Sequence, residues 1–539
     1  MSGPIYFDPS SHAMFNTVKV QTCSGQPLEV NPNPINNPGA STAFGEYSFE
    51  TTTPVFQLDG LYGISDTDDF QLNSALSGSQ SVDSNGLMSV STGTTAGSFA
   101  TLRSKRSIRY RPGQGSMSRF TAMFPNGHVA GYQQVAGYLN QSDIIGVGYN
   151  YPSDQTSFGI LRRSGSKGEI YKVSIGAGAS GAEVVRITLN DVVFNVNVTS
   201  GTAAFNAAEL ASASYTRWIV DIVGTDIYFL YDGGPGDLTG TFACENTTQG
   251  GTLTCTGTTL ENGAAGNDEW VYQTDWNVDQ LDGTGPSGMT LDPTKLNVFQ
   301  IDFRWLGAGI IRWSIEDDAT GNLIPFHILH YVNRNIKPHV SNPSLRVGYG
   351  VINAAPAVGS NTDVVVKGGS MMGAIQGKIA INRTTRAVSN ELNNLSSTDV
   401  HHVISLKNDR INEDGTNGKL NQREVIIQTL AVGALANAGN LATFYIYKGA
   451  AITDGAQTPA DVDFQWTAST SNASSTTTTG EYKADSGKLV TCAIVSADTS
   501  ANLDMTPYRV VLAPLETINV FVSCPAQVSP SVSLTFVTE

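Results

Sequence analysis

The residues that could do chemistry in this chain are few and poorly spaced for it. Of seven histidines, His327 and His330 lie at i, i+3 in Phe326-His-Ile-Leu-His-Tyr331. On a strand that offset sends the two imidazoles to opposite faces, which is poor geometry for one metal ion. The acidic loop Asn412-Glu-Asp-Gly-Thr-Asn-Gly418 has calcium-binding residue types. Its Gly follows directly on Asp414, however, and breaks the D-x-[DN]-x-[DN]-G spacing of an EF-hand loop, so a turn is the better reading. Ser164-Gly-Ser-Lys-Gly168 lacks the spacing of a nucleophile elbow. No glycine-rich loop ends in Gly-Lys-Ser/Thr. A glycosidase would need two carboxylates facing each other across a cleft, about 5–9.5 Å apart. Glu316-Asp-Asp318 precedes a turn and offers no such pair by itself. The expectation is a non-enzyme with no cofactor and no metal, with a polysaccharide-degrading sandwich as the weakest rival.

Recognition chemistry is better represented. Five of the 31 basic residues fall between positions 103 and 111, in a chain of net charge −16. Read as a strand, this run places Arg103, Lys105, Ser107, Arg109 and Arg111 on one face. Arg103, Lys105, Arg109 and Arg111 are therefore candidate subunit-interface residues, docking against an acidic neighbour such as a second copy; Arg suits such planar, bidentate contacts. The alternative is a solvated edge strand protected by its charge. Among the cysteines only Cys244 and Cys255 lie close in sequence. Residues 241–258 read as a hairpin turning at Gln249-Gly250, which sets Cys244 opposite Cys255. Their Cα separation would be about 5.5 Å, within disulfide range. The alternative is a pair of small buried hydrophobes. No CxxC occurs, so zinc has no support.

The elements that must position these residues are short strands. The chain has 539 residues, an apolar fraction of 40% and a charged fraction of only 14%. Gly, Thr, Ser and Asn fill the gap, and these favour turns over helices. The acidic balance argues against direct nucleic-acid binding. No apolar run is long enough to span a bilayer, and residues 1–30 show no secretory pattern. Residues 1–85, with Asn31-Pro-Asn-Pro-Ile-Asn-Asn-Pro-Gly39, read as an extended N-terminal arm. Residues 86–370 read as a central β-sandwich, with strands at 183–190, 192–198, 218–223, 227–231, 298–305 and 309–315, and one short helix near 205–213. Residues 371–398 read as a linker. Residues 399–539 read as a C-terminal jelly-roll-like sandwich with strands at 425–430, 441–447, 488–496, 508–512, 518–524 and 531–537. The fold class is all-β: a multi-domain β-sandwich with an extended N-terminal arm.

Four motifs occur in order: Arg109-Tyr-Arg-Pro-Gly-Gln114, Leu281-Asp-Gly-Thr-Gly-Pro-Ser-Gly288, Ile301-Asp-Phe-Arg-Trp-Leu-Gly-Ala-Gly309 and Asn342-Pro-Ser-Leu345. Residues 100–350, which hold them, resemble a family of virion structural proteins of tailed phages and large double-stranded DNA viruses. The resemblance implies a particle component of minor capsid, vertex, fibre or tail type. Physically, Trp305 and Trp313 in the third motif are expected to pack into the sandwich core. The expected partners are other virion or capsid proteins and further copies of the chain, and the expected location is the virion. A host-attachment protein binding a surface glycan is the nearer rival.

Overall fold

The computed structural model describes residues 52–64, 69–354, 362–377 and 385–538, apart from gaps of which the longest is 455–466. It also describes an antiparallel strand pair near the N-terminus, Val18–Gln21 with Pro27–Val30. The regular structure of the described residues is almost entirely β-strand, and three hydrophobic cores account for most of their interior.

The largest core lies between two antiparallel sheets. One has seven strands, in the order Asn267–Tyr272, Gly159–Ser164, Ile144–Tyr149, Tyr132–Leu139, Val347–Asn353, Phe99–Ser104 and Phe70–Ala75. The other has six, in the order Leu323–Leu329, Ile311–Glu316, Asn297–Phe303, Ser116–Ala122, Ser370–Gln376 and Thr52–Asp59. Alternation along the strands sends Phe299, Ile301 and Phe303 from one sheet and Tyr138, Val147 and Tyr349 from the other into the shared interior. Phe120 stacks on Phe299, with ring centroids 5.9 Å apart. Trp313 is fully buried here, as expected, whereas Trp305 is only partly buried at the end of the sandwich.

Two boundaries differ from those read in the sequence. The strands at Thr52–Asp59 and Phe70–Ala75, assigned to the arm, are edge strands of the sandwich. The strand Ser79–Val82, also within the arm as read, pairs with Met88–Ser91, and before residue 52 only the short strand pair is described. The span 86–370 also holds a second core, built on Tyr171, Val173, Val185, Ile187, Phe229 and their neighbours. It forms between the sheet Trp218–Val223, Asp226–Tyr231, Ile170–Ala177, Thr254–Glu261 and the sheet Val192–Val198, Glu183–Leu189, Phe242–Asn246. The helix Ala203–Ser212 closes this insert, capped by the Thr202 hydroxyl, which accepts from the Phe205 amide. Between Glu183–Leu189 and Val192–Val198 both turn residues, Asn190 and Asp191, take positive φ (50° and 65°), as a two-residue hairpin loop requires.

Cys244 and Cys255 are joined by a disulfide with a Cα separation of 6.1 Å, but not within a hairpin. Cys244 pairs in register with Ile187 of one insert sheet and Cys255 with Ile175 of the other. The hairpin reading is therefore corrected: residues 247–253 turn a corner between two facing sheets. The cause is Glu183, whose carboxylate accepts from the Thr252 amide (2.8 Å), the Leu253 amide (3.0 Å) and the Asn246 side chain (2.6 Å). These bonds, led by the Thr252 amide, hold its pKa down at about 2. The staple thus crosses the insert core. Reduction is expected to lower insert stability by roughly 2–3 kcal/mol, the loop-closure value for so short a loop. Thermal unfolding of the insert with and without a thiol reductant, set against a Cys244→Ala/Cys255→Ala variant, measures it.

The third core belongs to the C-terminal unit and is organised by one strand of 22 residues, Thr517–Thr538. Its first half pairs with Leu395–Asn408 and Leu441–Lys448, its second half with Arg386–Glu391 and Val425–Ala436. The sequence reads this strand as two, Ile518–Cys524 and Ser531–Val537, with Pro525 and Pro530 between them. Pro525 falls between Cys524 and Val528, where the partner register shifts, so its missing N–H costs no ladder bond. The linker read at 371–398 is likewise shorter, since Ser370–Gln376 and Arg386–Glu391 are strands of the flanking units.

Candidate functional site

The basic run does not form one positive face. The strand ends at Ser104, whose hydroxyl turns to bond the Arg106 carbonyl at 2.7 Å. From there each cation goes its own way. Arg103 is buried against the insert, where Asp232 offsets its charge. Lys105 pairs with Glu516 of the C-terminal unit at 2.6 Å, and Lys448 approaches the same carboxylate at 3.2 Å. Arg106 donates to the carbonyl of Val55 on the edge strand at 2.8 Å. The Ser107 amide donates to Glu424 Oε1 at 2.9 Å. Arg109 and Arg111 are half-buried. The acidic partners of Lys105 and of the Ser107 amide thus come from the same chain. The run is a seam between the sandwich and the C-terminal unit.

A second seam, invisible in the sequence, joins the C-terminal unit to the insert. Lys407 is nearly buried and pairs with Asp221 at 2.9 Å and Asp409 at 3.3 Å. Its ammonium also donates to the carbonyl of Ile222 at 2.5 Å. The other Asp221 oxygen accepts from the Arg410 amide at 2.8 Å. Burial opposes the charge on Lys407, and the pull of Asp221 and Asp409 outweighs it, so its pKa stands above the ordinary lysine value. The insert is held to the sandwich by hydrogen bonds to backbone carbonyls as well. Arg217 donates to the Gly97 carbonyl at 2.9 Å, and Gln141 to the Tyr231 carbonyl at 2.7 Å.

Three of the four ordered motifs meet at one end of the sandwich. Tyr110 packs edge-on against Trp305, with centroids 5.1 Å apart, and its hydroxyl accepts from the Leu306 amide at 3.3 Å. The Tyr110 amide donates to the Ser344 hydroxyl at 3.4 Å, Ile108 bridges to Leu345, and Trp305 Nε1 donates to the Val340 carbonyl at 3.1 Å. Asp143, fully buried, ties this end down by accepting from the Ser341 amide and hydroxyl, both at 2.6 Å. The motif spacing is thus explained by packing.

The fourth motif, Leu281–Gly288, lies at the opposite end of strand Asn297–Phe303 and is folded around Asp279. One Asp279 oxygen accepts from the Leu281 amide at 2.9 Å and the other from the Ser287 amide at 2.8 Å. A Cβ on Gly285 would lie 2.0 Å from Asp279 Oδ1, so only glycine fits the approach. Gly285→Ala is expected to cost about 1–3 kcal/mol, with faster amide exchange confined to the loop around 281–291; hydrogen–deuterium exchange reads both.

This loop walls a cavity of about 380 Å³, lined by Tyr149, Thr156, Ser157, Phe158, Gln273, Thr274, Gln280, Asp282 and Pro293. Gln273 Nε2 donates to the carbonyls of Gln280 and Leu281 (2.9 and 3.1 Å), and Gln280 Nε2 donates to the Thr274 carbonyl. Asp282 Oδ1 accepts from the hydroxyl and amide of Thr284 at 2.7 and 2.9 Å, and these bonds hold its pKa below the usual aspartate value. Tyr149 is held between Phe124 and Phe158 in edge-to-face contacts with centroids 6.0 and 5.2 Å away.

Among the described residues no group of three or more His, Cys, Asp and Glu residues could hold a metal ion, and no helix is long and apolar enough to cross a membrane. His327 is buried against Trp313 while His330 is exposed. Residues 414–417 of the acidic loop lie outside the described residues.

No family model and no curated protein matches the chain. Among solved structures it is similar to basic winged bean lectin with Tn-antigen, at 9% identity and a TM-score of 0.24, over 60% of this chain and 99% of the lectin. It is similar to a chain of the infectious bursal disease virus particle at 7% identity and a TM-score of 0.16, over 78% of this chain and 68% of that one. A triple jelly roll protein of an archaeal virus turret follows, at 9% identity and a TM-score of 0.14, over 77% of this chain and 97% of that one. These likenesses are too distant to carry a function to this chain.

Proposed function

We propose that this protein is a non-catalytic structural component of a virus particle, capsid-associated or of vertex or fibre type, that works by packing against further copies and other virion proteins. The observation that carries the reading is an open, uncharged sheet face. In the C-terminal unit, strand Lys488–Ser496 pairs only with Leu441–Lys448 among the described residues, and so forms an edge. The outward face of this pair exposes Leu441 and Leu489 by 48% each and Ile494 by 68%. No charged residue occurs in 441–447 or 489–496. An exposed apolar edge of this kind invites strand addition or sheet stacking. The buried Lys407–Asp221 pair, the half-buried Lys105–Glu516 pair and the Arg217 and Gln141 bonds to carbonyls, meanwhile, tie the insert, the C-terminal unit and the sandwich to one another. Units tied in this way can transmit load between neighbours without internal hinging. The ordered motifs at 100–350 are consistent with the same role.

Mass spectrometry of purified particles from an infected host tests the location. The chain is expected as a stoichiometric component that survives high-salt washing. Its absence from intact particles would remove the proposal.

A further inference from the structure

We infer that the loop-end cavity beside Asp282 is a binding site for a neutral, hydroxyl-rich ligand, that is, a saccharide. Its size falls in the range of small-ligand pockets, and its lining selects the chemistry. Tyr149 lines the cavity and is 7% exposed, and its hydroxyl makes no hydrogen bond among the described residues. The ring is buried while the hydroxyl stays open to the cavity, so its donor and acceptor are free to bond a ligand. The side-chain oxygens of the half-buried Gln273 and Gln280 and one oxygen of the exposed Asp282 are also open, because only the amide donors, or the other carboxylate oxygen, are engaged within the protein. The lining therefore combines acceptors for ligand hydroxyls with the hydroxyl donors of Tyr149, Thr156, Ser157 and Thr274. Phe158 and Pro293 supply apolar surface for C–H faces. No lysine, arginine or histidine lines it, so nothing balances the charge of an anionic ligand beside Asp282. A group that both donates and accepts around an apolar ring matches this lining.

The site is built rather than incidental. Asp279 and Gly285 fix the wall that presents Asp282, and the Phe124–Tyr149–Phe158 cluster fixes the tyrosine ring. The inference is independent of the assembly reading: an assembling protein that binds no sugar would leave that reading intact.

Saturation-transfer NMR on the full chain tests it. The probes are the methyl pyranosides of glucose, galactose, mannose and N-acetylglucosamine, with an oligosaccharide array in parallel. At least one saccharide is expected to bind. Tyr149→Phe removes only the hydroxyl and is expected to weaken binding roughly 2- to 10-fold, the worth of one hydrogen bond. Ser157→Trp, at an exposed rim position, is expected to abolish binding with the melting temperature unchanged. The inference is overturned if no saccharide binds, if both variants bind like the wild type, or if tetramethylammonium competes the saccharide away as the better ligand.

Discussion

Acidification from neutral pH to about pH 4 is expected to remove on the order of 2–3 kcal/mol of stability for each of His339 and His402, and less for His327, which keeps some access to solvent. Burial holds all three imidazoles down to about 4. His402 lies beneath Phe521, with centroids 5.6 Å apart, and its Nε2 meets the Ser405 hydroxyl at 2.7 Å. His339 bonds the Arg304 carbonyl at 3.0 Å, and His327 packs on Trp313. The neutral ring is the folded form. In the unfolded chain each titrates near 6.5, so below that pH the unfolded state takes up protons that the folded state refuses. The stability is fully present above about 6.5 and is lost as pH falls toward 4. Glu183, held at about 2, pushes in the same direction at lower pH. Urea midpoints measured from pH 7 to pH 4 should fall steeply, and His402→Gln should flatten the profile of the C-terminal unit. A flat midpoint across that window would contradict the burial of these rings.

Replacing Lys407 by alanine is expected to cost about 3–5 kcal/mol, the price of leaving a buried carboxylate uncompensated. Asp221 and Asp409 would face each other without their shared cation. The loss should appear as uncoupling. If the seams make one block, the wild type melts in a single transition. Lys407→Ala should split the insert from the C-terminal unit and open the connection to protease. The double variant Lys407→Met/Asp221→Leu should recover only part of the loss, since Asp409 stays buried without its cation and the Arg410 amide loses its acceptor. Differential scanning calorimetry with limited proteolysis distinguishes these outcomes.

The strands were the most legible part of the sequence. Val192–Val198, Trp218–Val223 and Lys488–Ser496 match their expected bounds, because β-branched residues between turn residues leave little choice. The topology was not legible where a local signal competes with a distant one. Residues 241–258 look like a hairpin, and the carboxylate that opens them into a corner is Glu183, far upstream. The 22-residue spine looks like two strands because its prolines are visible and its four ladder partners are not.

The site residues show the same limit. The basic run was conspicuous, but its partners Glu424 and Glu516 carry no local mark. Lys407 and Asp221, 186 positions apart, carry none at all. Asp279 was missed beside a motif that was noticed. Its signal was present in the glycines of Leu281–Gly288, since a loop with so little side-chain bulk needs a buried acceptor to hold it. Tyr149 had no signal, because burial with a free hydroxyl is a property of the fold alone.

Self-association of the purified chain bears most directly on the role proposed here. Sedimentation velocity is expected to show a discrete homo-oligomer for the wild type, and a monomer for Ile494→Lys, which places a charge in the middle of the uncharged sheet edge. A wild-type chain that stays monomeric at every concentration, or an Ile494→Lys variant that assembles just as well, would contradict it.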